Sequence, residues 1–195
     1  MARRLPELWI LRHGETLWNA EGRLQGHLDS ALTERGVAQA RAQGEILARA
    51  GLPADVRVLS SPSPRAWRTA EIAVGGLGLE ILPEPRLMEI GLGAWQGRLT
   101  EELYRELPPE AAQDPHFWKF GAPGGERLEA MLARVDAVLA GLDGPAVLVT
   151  HGLTSRLLRC RARGLAPERL SSLPGGQGVV HHLKSGRAAV LGAPA

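Results

Sequence analysis

Short apolar runs that end on polar residues and glycine alternate with longer amphipathic stretches along this chain. Leu8-Trp9-Ile10-Leu11 stops on Arg12-His13-Gly14, and Ala146-Val147-Leu148-Val149 stops on Thr150-His151-Gly152. Continuous apolar runs of this length read as buried strands, and in α/β proteins the residues just past their carboxyl ends face the ligand crevice. Gly14 is expected to turn the chain through backbone angles closed to other residues, leaving the His13 ring uncovered. Val56 to Leu59 and Leu79 to Leu82 read as further short strands, and Val179 to Leu183 with Ala188 to Leu191 as a hairpin around Ser185-Gly186.

The helices follow from the 3.6-residue period. Thr33 is the expected N-cap of one running to about Ala50, with Val37, Ala40, Gly44 and Leu47 on one face and Gly51 at its end. A second spans Arg65 to about Val74. After Gly124-Gly125-Glu126, the residues Leu128, Met131, Leu132, Val135, Val138, Leu139 and Leu142 recur at helical spacing until Gly144-Pro145, and a last helix covers Thr154 to Arg163. Residues 83–125 break the pattern and read as an insertion over the cleft, a lid for substrate specificity, with short helices at Glu101 to Glu106 and near Phe117. Strands alternating with helices predict an α/β fold of three layers around a mainly parallel sheet, in one domain over residues 1–195.

Composition narrows the function. The chain is 44% hydrophobic and 23% charged with a net charge of +2, too small and scattered an excess for nucleic-acid binding. Cys160 is the only cysteine, so no intramolecular disulfide or zinc–thiolate cluster is possible; it reads as a buried structural thiol. The basic start, Met1-Ala2-Arg3-Arg4, is followed by neither a signal-peptide core nor a membrane span, which predicts a cytoplasmic protein without membrane partners.

The polar groups expected at the strand ends are Arg12, His13, Arg65 and His151. Two guanidiniums and two imidazoles suit a dianionic oxyanion, since arginine offers a planar fork of donors and stays charged. The helix after His151 is expected to offer free N–H groups to the same anion. Phosphoryl transfer in such a site needs a nucleophile, for which neutral histidine serves, and an acid with a raised pKa for the leaving alkoxide. Glu89, within Leu87-Met88-Glu89-Ile90, is the candidate acid, its apolar neighbours disfavouring the ionised form.

Leu11-Arg12-His13-Gly14-Glu15-Thr16 with Trp18-Asn19 resembles the signature of the histidine phosphatase superfamily, or phosphoglycerate mutase-like family. The likeness continues through Gly22 to Ser30, Leu32-Thr33-Glu34-Arg35-Gly36, Ser60-Ser61-Pro62 with Arg65-Ala66 and Thr69-Ala70, Glu89 with Gly93, Trp95 and Gly97, and Val149-Thr150-His151-Gly152. The resemblance implies a phosphohistidine on His13, with Arg12, Arg65 and His151 holding the phosphoryl group and Asn19 touching it. Glu89 becomes the general acid/base, and Gln25, Gly26 and Gly152 join the substrate-binding set. It implies no metal or organic cofactor, a small phosphorylated substrate, and an α/β/α sandwich with one antiparallel strand in the sheet.

Mutases of the family follow the catalytic glutamate with Arg and a Tyr two further on, and carry an Arg pair in the insertion. Here Ile90 and Leu92 stand in the first two places, and residues 98–125 have no adjacent arginines. The chain therefore resembles the phosphatase branch, which includes broad-specificity phosphatases, α-ribazole phosphatase and fructose-2,6-bisphosphatase. Leu92 and Gln96 depart from the aromatic and acidic residues common there, which bears on the substrate. A cofactor-dependent phosphoglycerate mutase is the alternative. A metal hydrolase using Glu89 or Asp29, and a phospho-ligand binding module without turnover, rank below it. Arg68 is expected to be exposed or structural, His27 to line the cleft or stand in solvent, and His116, His181 and His182 to be structural or solvent-facing. Trp18 and Trp95 read as packing residues, and Arg156, Arg159 and Arg163 as a solvated helix face. Monomer and homodimer are both open.

Overall fold

The computed structural model describes residues 5–110 and 113–192; the basic start, Met1 to Arg4, lies outside them. Among the described residues six strands form one sheet: β1 (Leu8–Arg12), β2 (Arg57–Ser60), β3 (Ile81–Pro83), β4 (Ala146–Thr150), β5 (Val180–Lys184) and β6 (Arg187–Leu191). Their order is β3-β2-β4-β1-β5-β6, and only β5 runs against the others. The three-layer, mainly parallel sandwich expected from the alternation is the fold observed.

Register decides where the strand ends fall. Leu8 pairs with Ala146 and Arg12 with Thr150, while Ser60 of β2 pairs with Val149. His13, His151 and Ser61 therefore leave the sheet at one level on adjacent central strands, and His13 N–H and Ser61 N–H donate to the Thr150 and Val149 carbonyls at 2.9 Å. Alternate residues of the buried strands supply two cores. Leu8, Ile10 and Leu148 pack with α5 (Leu128–Ala140) and α6 (Gly152–Ala162), whereas Trp9, Leu11, Val147 and Val149 pack with α2 (Glu34–Ala50) and α3 (Pro64–Val74). The short α1 (Leu17–Ala20) follows the first strand end, capped by Thr16. No helix among the described residues is long and apolar enough to cross a membrane.

Several boundaries shift for identifiable reasons. Thr33 caps α2 and Gly51 closes it in a left-handed conformation, as the pattern predicts. Yet α5 starts at Leu128 because the Glu126 N–H is taken by the Gly91 carbonyl, at 2.7 Å, and Gly124 has φ +67°. The helix after His151 starts two residues earlier than expected, at Gly152. The irregular stretch holds α4 (Thr100–Glu106) and a 3₁₀ turn over Phe117–Gly121, and its Leu103, Trp118 and Phe120 are buried in the same cluster as Leu8 and Ile10.

The expected reason for Gly14 is corrected. Its φ is not positive; what requires glycine is a close approach, since a Cβ there would lie 2.2 Å from the Gly36 carbonyl oxygen. A Cβ on Gly36 would lie 2.0 Å from the Glu15 carbonyl oxygen, so two glycines far apart in sequence form one backbone-to-backbone contact. Because the obstructing atoms are backbone, Gly36→Ala is expected to destabilise the protein by about 1–3 kcal/mol in urea unfolding. A change below about 0.5 kcal/mol, the ordinary surface value, would show that the contact yields freely.

Candidate active site

The strand ends enclose a cavity of about 240 Å³. Arg12, His13, Asn19, Gln25, Gly26, Arg65 and Glu89 line it, with Leu24, Ile90, Leu92 and Leu153 as apolar wall and Arg23, Thr100 and Lys119 beside them. Seven of the nine expected site residues thus meet there. His151 and Gly152 lie behind the lining, the His151 ring edge-on to His13 at 5.2 Å between centroids.

His13 is 3% exposed, and its Nδ1 lies 2.7 Å from the Gly14 carbonyl oxygen. A carbonyl can only accept, so Nδ1 carries the proton and Nε2 keeps its lone pair. Burial first, then His151, Arg12 and Arg65, hold the His13 pKa well below the ordinary imidazole value. The ring is therefore neutral over a wide pH range. The strand end is fixed by Gly14 N–H donating to Thr69 Oγ1 at 3.1 Å, by Thr69 donating to the Arg65 carbonyl, and by Gln177 Nε2 donating to the His13 carbonyl at 3.1 Å.

Arg65 sits in the first turn of α3 and is 2% exposed. Nη1 donates to the Leu28 carbonyl and to Asp29, and Nη2 to the Gly26 carbonyl. Of the five N–H groups of a guanidinium, Nε–H and one on Nη2 remain. Gly26 thus serves through its carbonyl, and Asp29, the carboxylate of the metal reading, is engaged by arginine. Three buried polar atoms around His13 have no partner among the described residues: Arg12 Nε, Arg65 Nε and His151 Nδ1. The other His151 nitrogen, Nε2, pairs with Ser61 Oγ at 2.8 Å, and burial, Arg65 and Arg12 hold this ring's pKa well below its usual value.

Glu89 departs from expectation. Burial pushes its pKa up, but the N–H groups of Leu153, Ile90 and Thr154 together with the Lys119 charge outweigh it, and the net shift is downward. Oε2 accepts from Leu153 N–H at 3.1 Å, and Oε1 from Ile90 N–H, Thr154 N–H and Thr154 Oγ1 at 3.0–3.1 Å. The free N–H groups expected to meet an anion at the start of α6 are therefore occupied by Glu89. The glutamate is held as a carboxylate in the free protein because a helix N-terminus faces it and its N–H groups outweigh the cost of burial. Its loop is clamped from behind by Arg134, which donates to the Arg86 and Met88 carbonyls and pairs with Glu126.

Gln25 donates from Nε2 to Thr16 Oγ1, at 2.9 Å, and accepts at Oε1 from the Ser30 hydroxyl, and a Cβ on Gly152 would touch the Arg12 guanidinium at 3.4 Å. Asn19 Oδ1 accepts from Gln177 at 3.2 Å. Gln177, Ser61, Thr154 and Arg134 were not legible as site residues, since each is contributed by another element; of the four only Ser61 belongs to a motif, Ser60-Ser61-Pro62. The solvated stripe on α6 is also corrected: Arg159 is 4% exposed and donates to the Ser155 and Pro174 carbonyls and to His181, because this face lies under the loop that carries Gln177. Of the remaining histidines, His182 stacks on Trp9 and meets Glu7, His181 is buried, and His27, at the surface, reaches the Glu89 carbonyl at 3.0 Å. Arg68 is exposed beside Glu71, Trp95 is a core residue and Cys160 is buried.

Residues 8–189 match the model of the histidine phosphatase superfamily, branch 1. The chain belongs to that superfamily. Phosphoserine phosphatase 1 of Hydrogenobacter thermophilus is 35% identical over 83% of this chain and 78% of its own length. A Salmonella paratyphi C protein named "Probable phosphoglycerate mutase GpmB" is 37% identical over 82% of this chain and 75% of its own. In structure, the histidine phosphatase fold seen here is similar to a mycobacterial glucosyl-3-phosphoglycerate phosphatase in complex with VO3, with a TM-score of 0.78, 29% identity, and 96% and 98% of the two chains covered. Names of a phosphatase and of probable mutases both occur among the relatives, and this solved neighbour carries a phosphatase name.

Proposed function

We propose that this protein is a phosphomonoesterase that hydrolyses a small phosphorylated metabolite through a phosphohistidine on His13. The observation that carries the reading is the trio of buried nitrogens without a partner among the described residues, Arg12 Nε, Arg65 Nε and His151 Nδ1, around an imidazole whose Nε2 lone pair is free. Buried polar groups are paired in folded proteins, and a ligand with several acceptor oxygens would complete the arginine donors. The His151 ring can supply the third bond from its protonated Nδ1 when Ser61 donates to Nε2.

Catalysis then follows in two displacements. The phosphoryl group rests against Arg12, Arg65 and His151, and His13 Nε2 attacks phosphorus in line as the P–O ester bond breaks. The dianion arriving beside Glu89 favours proton uptake there, and the carboxyl gives that proton to the departing alkoxide. The carboxylate then takes a proton from the water that attacks the phosphohistidine, and His13 and inorganic phosphate are released. Phosphatase names among the solved neighbours support this over phosphoryl return to the product, and Ile90 and Leu92 occupy places where, by the resemblance above, the mutases have Arg and Tyr.

The test is a panel of phosphorylated metabolites assayed for free phosphate, with 3-phosphoglycerate isomerisation followed in parallel and the enzyme quenched to trap acid-labile, base-stable phosphate. Phosphate release with a trapped phosphohistidine is expected, and it should persist below pH 6.5, since the nucleophile's lowered pKa keeps it unprotonated there. Rapid formation of 2-phosphoglycerate with little free phosphate would instead make the protein a mutase.

A further inference from the structure

Resting on the phosphatase reading above, we infer that Lys119 determines specificity, its ammonium receiving a carboxylate that the substrate carries close to its phosphate. Lys119 lines the cavity from the Phe117–Gly121 turn, whose Trp118 and Phe120 are buried in the core, so the position is anchored although the surrounding segment is irregular. Its backbone is held as well, the N–H donating to the His116 carbonyl and the carbonyl accepting from Ala122.

The ammonium lies 5.5 Å from the Trp118 ring centroid and makes no hydrogen bond or ion pair among the described residues. Apart from the Arg12 and Arg65 nitrogens assigned above to the phosphoryl group, the other charges at the cavity are already committed. Arg23 donates to Glu21 and to the Gly97 carbonyl, Arg65 to Asp29 and two carbonyls, and the Glu89 oxygens accept from Ile90, Leu153 and Thr154. Lys119 is thus a cation beside the reaction site with a vacant hydrogen-bonding capacity, and a partly desolvated ammonium of that kind pairs best with an anion. Lys119 and the phosphoryl site share one cavity of about 240 Å³, which favours a compact molecule whose second anion lies close to its phosphate. A carboxylate two or three bonds from the ester carbon meets both demands.

Two three-carbon phosphomonoesters test this, 3-phosphoglycerate and glycerol 1-phosphate, which differ by a carboxylate in place of a hydroxymethyl group. The native enzyme is expected to prefer the first by about tenfold or more in kcat/KM, chiefly through KM. K119M should bring that ratio close to one, and K119R should restore most of it. Burial pushes the Lys119 pKa down to about 8, with Arg12 and Arg156 acting in the same direction and Glu89 and Asp114 against them; His116 faces the same charge. The preference should therefore be full below that pH and fall above it, as the ammonium loses its proton. A ratio near one in the native enzyme overturns the assignment. So does a ratio that K119M leaves intact, because a lysine that only held the phosphoryl group or supported the fold would slow both esters alike. If neither ester nor p-nitrophenyl phosphate is hydrolysed, the phosphatase reading itself fails, and this inference with it.

Discussion

Replacing His13 by alanine is expected to lower phosphomonoester turnover by about 10⁴-fold or more and to remove the trapped phosphoenzyme altogether, since a covalent step loses its only acceptor atom. The second imidazole cannot stand in. His151 is packed edge-on to His13, and its Nε2 is tied to Ser61. Nor should the fold suffer. The backbone at position 13 is held by Thr150, Thr69 and Gln177 through groups that alanine keeps or leaves untouched, and the lost ring bond is a local one to the Gly14 carbonyl. Circular dichroism and a thermal melt close to those of the native protein, alongside absent turnover and absent acid-labile phosphate, are the expected set. Undiminished hydrolysis by this variant would remove the covalent mechanism.

The second large effect belongs to Glu89. Glu89→Gln removes the proton carrier, and general acid–base groups typically contribute about 10²–10⁴-fold. The effect should depend on the leaving group. A phenolate such as p-nitrophenolate departs without help, so phosphorylation of His13 continues while its hydrolysis stalls; rapid-quench experiments should show one burst equivalent of product followed by a slow steady state. An alkyl ester, whose alkoxide needs the proton, should slow already in the first step and show no burst. The amide also turns a donor toward the N–H groups of Leu153 and Thr154, costing about 1–3 kcal/mol of stability, which a urea titration reads separately. A steady-state rate unchanged from native with both esters would exclude Glu89 as acid and base.

Much of the scaffold was legible because it rests on short-range periodicity. The apolar runs at Leu8–Leu11 and Ala146–Val149 became central strands, Thr33 and Gly51 bounded α2, and the turn at Ser185-Gly186 joined β5 to β6. The motif residues Arg12, His13, Arg65 and Glu89 do meet in one cavity. Reasoning from neighbours in the chain failed where the deciding neighbour came from elsewhere. Glu89 looked like a carboxyl among Leu87, Met88 and Ile90, yet what it meets is the start of α6, some sixty residues on. Arg159 looked like one step of a polar stripe and is covered by the loop after Leu173.

The order of apolar and polar residues by itself determined the strands and helices, the mainly parallel sandwich, and the placement of histidine and arginine at strand ends, because side-chain burial along a strand or helix repeats with the backbone's own period. Only the tertiary structure decided the states of those groups: which nitrogen of His13 is free, that Glu89 is ionised, that Gly14 yields space to Gly36, and that Lys119 has no hydrogen bond or ion pair among the described residues. Such properties depend on electric fields, hydrogen bonds and close approaches across space. They are set by residues that the chain brings together only on folding.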